Sequence, residues 1–100
     1  MNILNNIAHG LEHSEQIVFK NLFSSESSKL TAVSLKREVI LPESIAYTKT
    51  KILVVKGEID FNMEGQSYRL AMFDTFTVPL EEIYCIQAYN DALFLVLTEH

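Results

Sequence analysis

His9 and His13 stand four residues apart, a spacing that on one helix face would offer two imidazoles to a divalent metal. Gly10 lies between them and is expected to end that helix, so the plainer reading is two surface histidines. Cys85 is the single cysteine of the chain. It has no histidine beside it and no helix start to favour its thiolate, which predicts a small packed hydrophobe rather than a nucleophile. Glu81 and Glu82 are adjacent acids in a loop, where general acid–base work is one reading and solvation the simpler one. His100 closes the sequence and is expected in water. No Ser-His-Asp order is present, and three glycines cannot build a phosphate-cradling loop.

The elements that must position these groups are almost all strands. Ile3, Leu4, Ile7, Ala8 and Leu11 recur at helical spacing, so a short helix is expected within residues 1–15. At that length it has to pack on the rest of the chain to persist. Strands follow at Gln16–Leu22, Leu30–Leu35 and Glu38–Leu41, with Ser24–Lys29 as a loop and Pro42 as an edge or loop residue. Lys51–Val55 is apolar and β-branched. Glu58–Met63 alternates strictly, with Ile59, Phe61 and Met63 on one face, and Tyr68, Leu70 and Met72 resume the pattern after Glu64-Gly65. Glu58–Met72 is therefore expected to be a hairpin. Thr75–Val78, Tyr84–Tyr89 and Ala92–Thr98 complete eight to ten strands, which favours a sandwich or closed barrel.

Composition bounds the function. One hundred residues suit one domain, 1–100, with a helical segment at 1–15 and a barrel at 16–98. The net charge of −5, with eight scattered Lys and Arg, argues against nucleic acid and gives no attraction to an anionic membrane. One cysteine excludes an internal disulfide and suits a reducing compartment. With no basic, apolar leader and no run long enough to span a bilayer, the cytoplasm is the expected location.

Ser34-Leu-Lys-Arg37, Leu41-Pro-Glu43, Ile52–Phe61, Glu64–Leu70, Asp74–Pro79 and Ala88–Leu97 follow one another along the chain. From about Ser34 to Leu97 this order of features resembles a small single-domain cupin. The resemblance implies an all-β, double-stranded β-helix, a jelly-roll barrel of RmlC type. It also implies two motifs. The first is His-x-His, a Glu and a Gly that ends the strand; counting back from Gly57, these ligand places are Ser44, Ala46 and Thr50. With a spacing one residue longer, the histidine places become Glu43 and Ile45. The second is Gly-Asp, Pro and His, here Phe73-Asp74, Pro79 and Tyr84. A further family glycine falls on Glu38. Gly57, Asp74 and Pro79 keep the turns, and every ligand place has changed.

Imidazole and carboxylate hold the metals of such barrels, whereas these places offer two aliphatic hydroxyls and one phenol. No metal and no cofactor are expected; a displaced site built around Glu43 is the alternative. The resemblance turns Tyr84 into the barrel with Ile86 and Ala88, where Ser44 or Thr50 could meet its hydroxyl. Tyr84 is then either a polar handle in a pocket or a filler of the space a metal would leave. The pocket candidates are Ser44, Ala46, Thr50, Phe61, Met63, Phe76, Tyr84 and Ile86.

The expected function is a metal-free binding or interaction module, taking at most a small apolar or weakly polar ligand. A homodimer is expected because Ile17, Phe19, Leu22, Phe23, Leu53, Val55, Ile83 and Cys85 form a second apolar set facing away from the interior. The rivals are an isomerase or lyase without cofactor, using Tyr84 and a carboxylate, and a sensor of small effectors.

Overall fold

The computed structural model describes residues 16–100. The helix expected over residues 1–15, with His9 and His13, lies outside them. Every described element is a strand: β1 (Ile17–Ser24), β2 (Ser28–Leu35), β3 (Ser44–Ile45), β4 (Lys49–Lys56) and β5 (Ile59–Met63). The remaining four are β6 (Gln66–Leu70), β7 (Thr75–Thr77), β8 (Ile83–Ala88) and β9 (Ala92–Glu99). They form a five-stranded sheet, β1-β2-β9-β4-β7, and a four-stranded sheet, β3-β8-β5-β6, with all neighbours antiparallel. This is jelly-roll order with β1 added at one edge. No described helix is long and apolar enough to cross a membrane.

Alternation decides which residues meet between the sheets. Val33 and Leu35 of β2, Ile52 and Val54 of β4, and Ile59 and Phe61 of β5 turn inward and are buried. Ile86 and Ala88 of β8 meet them from the same layer as β5, and Phe94 of β9 from the other. The opposite face of the larger sheet carries a second apolar set, in which Ala32 and Leu93 are buried and Val18, Leu22, Val55 and Leu95 pack beside them. The outer face of the smaller sheet is instead polar around Arg69. Its guanidinium donates to Asp60, pairs with Glu58 at 3.4 Å and lies 3.9 Å over the Tyr89 ring. The hydrogen bond to Asp60 raises the guanidinium above its ordinary value.

The turns close on particular residues. Gly57 has φ of 76° and lies against the β8–β9 turn. That turn ties two other segments to itself: the Glu58 N–H donates to Asn90 Oδ1 (2.7 Å), and the Arg37 N–H donates to Asp91 Oδ1 (2.9 Å). Asp74 closes the β6–β7 turn by accepting the Ala71 N–H at 2.8 Å. Phe73 beside it has φ of 71°, and Glu38 has φ of 68°. Both stand where the resemblance calls for glycine, and both hold the left-handed backbone that glycine adopts without strain.

Several expectations need correction. The strand expected at Glu38–Leu41 is a single bridge, Ile40 to Gln87. The left-handed Glu38 breaks the extended path and Pro42 brings no N–H, although Leu41 still donates to the Ile86 carbonyl. Met72 belongs to a turn, not to β6. Ile17 and Phe19, expected on the outer face, share the inner side with their partners Leu35 and Val33. Val18 takes the outer place, and a bulge between Asn21 and Phe23 puts Leu22 there too.

Candidate functional site

The inner face of the larger sheet and the edge of the smaller one enclose a cleft of about 340 Å³. Its floor comes from inward positions of four strands: Val33, Ile52, Ile86 and Phe94, each at most 3% exposed. Phe19, Leu41, Pro42, Tyr84 and Val96 make the apolar walls and mouth, and Glu43 and Ser44 are the polar residues of the rim. Pro42 and Glu43 reach the opening because the segment before β3 leaves the sheet after the Leu41 bond to β8. Register then sets Ser44 opposite Tyr84, so both face the cleft.

Behind Tyr84 the interior is closed by aromatic rings. Tyr84 stacks on Phe61 at 4.8 Å between centroids, with the planes 18° apart. Phe61 meets Phe76 at 4.6 Å, and Phe76 meets Tyr68 at 5.1 Å. Phe61 is fully buried, whereas Tyr84 is half-buried. The ring that fills the interior is thus Phe61, and Tyr84 lines open space in front of it.

The eight candidate residues do not share one site. Ser44, Tyr84 and Ile86 line the main cleft. Phe61 and Phe76 lie in the stack behind it. Ala46 is buried in the core. Thr50 is buried too, and its hydroxyl donates to the Thr48 carbonyl at 2.9 Å. Met63 borders a second, more open cleft of about 370 Å³ with Asn62, Ile83 and Cys85, and Glu43 and Tyr84 line both clefts. The sequence reading missed Phe19, Val33, Ile52, Phe94 and Val96. Their shared parity was a signal only once the strand neighbours were known.

A metal of the kind that cupins hold does not fit these residues. Ala46 has no donor atom, Thr50 directs its proton to the backbone, and Ser44 and Tyr84 leave two neutral oxygens. Among the described residues no three His, Cys, Asp or Glu side chains gather. What the cleft offers is apolar surface with a carboxylate and two hydroxyls at its opening.

No protein-family model matches the chain, and no curated protein does. Solved structures do. A cupin superfamily protein from Desulfitobacterium hafniense is 22% identical, with TM-score 0.81 over 93% of this chain and 86% of its own. KdgF from Halomonas sp. is 21% identical, with TM-score 0.76 over 87% and 81%. A conserved protein of unknown function from Streptococcus pyogenes is 15% identical, with TM-score 0.78 over 87% and 76%. At these identities the likeness is one of fold.

Proposed function

We propose that this chain, which has the cupin fold, is a binding module that takes small apolar molecules without a metal. The observation that carries the reading is the cleft of about 340 Å³, floored by Val33, Ile52, Ile86 and Phe94. Its size falls at the lower end of small-molecule sites, which are mostly apolar with a few placed polar groups. A neutral aromatic such as 1-ethylnaphthalene is expected to bind with Kd on the order of 0.1–1 mM. It should shift the NMR signals of Val33 and Ile86. Val96→Phe, which fills the cleft from its wall, should abolish the shifts while the fold persists. Unchanged spectra across the titration of the unaltered protein would refute the reading.

The proposal includes self-association as a two-fold pair through the outer face of the larger sheet. Leu30, Leu53, Leu95 and Leu97 line an apolar groove of about 180 Å³ there. A second copy would present the same groove, as an isologous contact requires. Sedimentation equilibrium at micromolar concentration is expected to give twice 11.4 kDa. A persistent monomer, still soluble, would contradict the pairing.

A further inference from the structure

We propose that the cleft selects small apolar molecules that end in a protonated amine, a refinement that rests on the binding reading above. The polar side chains at its opening are Glu43, Ser44 and the phenol of Tyr84. A carboxylate only accepts hydrogen bonds, so its best complement is a donor, and a charged donor above all. Among the described residues no Lys, Arg or His lines the cleft. A ligand carboxylate or phosphate would therefore leave water without a cationic partner and would approach Glu43 with like charge.

Three further features agree with a cation. Phe19 and Tyr84 place aromatic rings at the same opening, and ring faces attract ammonium groups. The chain carries a net charge of −5, which raises the local concentration of cations at low salt. The floor of Val33, Ile52, Ile86 and Phe94 contributes no polar side-chain atom, so a charged head gains nothing by going deeper. The amine belongs at the rim and the apolar body on the floor.

Three probes of one shape separate the possibilities: 2-(1-naphthyl)ethylamine, 1-naphthylacetate and 1-ethylnaphthalene, titrated at pH 7 and low ionic strength. The amine is expected to bind about tenfold more tightly than the neutral probe, as a charge-assisted hydrogen bond would give, and the carboxylate more weakly than either. Glu43→Gln should remove most of the amine's advantage over the neutral probe. Equal binding of all three overturns the selectivity while leaving the apolar site intact, and an amine preference undiminished in Glu43→Gln overturns the assignment of the rim carboxylate as its source. Failure of all three probes to bind overturns the binding reading and the selectivity together.

Discussion

Phe61→Ala is expected to cost about 3–5 kcal/mol, the range for truncating a large buried aromatic. That is a large part of the stability of a domain this size, so the variant should be only marginally folded at room temperature. Phe61 has no exposed surface and touches a ring on either side, Tyr84 and Phe76, which hold their places through its own. Removing it leaves a hole that the rigid sheets on both sides cannot collapse to fill. Tyr84→Ala removes one stacked partner from a side chain that already faces open space. It should therefore cost only about 1–2 kcal/mol. Urea unfolding of the two variants side by side measures the difference, and equal losses would mean that the Tyr84 ring is as deeply enclosed as Phe61.

The second large effect is at Gly57. A Cβ built there would lie 2.3 Å from the Asp91 carbonyl oxygen and 2.8 Å from Asn90 Oδ1. Neither neighbour can give way cheaply. The first is backbone, and the second already accepts the Glu58 N–H. The φ of 76° adds strain for any L side chain, about 1–2 kcal/mol. Displacing a close-packed neighbour adds about 1–3 kcal/mol. Gly57→Ala is therefore expected to lose about 2–5 kcal/mol in a denaturant titration. Phe73→Gly tests the same physics with opposite sign. Phe73 holds φ of 71° and is 73% exposed, so the change relieves strain and surrenders little packing. The extra freedom of glycine in the unfolded chain offsets part of that relief, leaving a net gain of about 0.5–1 kcal/mol. A Phe73→Gly protein less stable than its parent would show that the ring packs in a way its exposure does not reveal.

These residues also mark where the sequence was legible. Ile59, Phe61 and Met63 alternate with polar partners, so the β5–β6 hairpin could be read locally, and Gly65 turns it with φ of 75°. The turns at Glu38 and Phe73 lacked their glycines, yet the order of motifs placed them, and their left-handed backbones agree. The first strand was not legible in the same way. Ile17, Val18 and Phe19 are all apolar, so alternation could not say which of them faces in. That is decided by the Phe19–Val33 and Val18–Ser34 pairs across to β2, and by the bulge further along. β3 is two residues long and exists only because β8 lies beside it. The cleft depended on both of these non-local choices. Four of its floor and wall residues, Val33, Ile52, Phe94 and Val96, come from strands distant in sequence and read singly as ordinary core positions. Tyr84, placed through the resemblance, lies along the cleft, and Phe61 is the fully buried ring behind it.

The absence of a metal-binding donor set at Ser44, Ala46, Thr50 and Tyr84 is the claim on which the proposed function turns. Isothermal titration of the chelator-treated protein with Zn²⁺, Ni²⁺, Mn²⁺ and Fe²⁺, joined to elemental analysis after native purification, tests it most directly. The expected result is far less than one metal per chain, no saturable heat at micromolar ion concentration, and a melting temperature that chelator leaves unchanged. One tightly bound metal per chain, whose removal lowers the melting temperature, would contradict it.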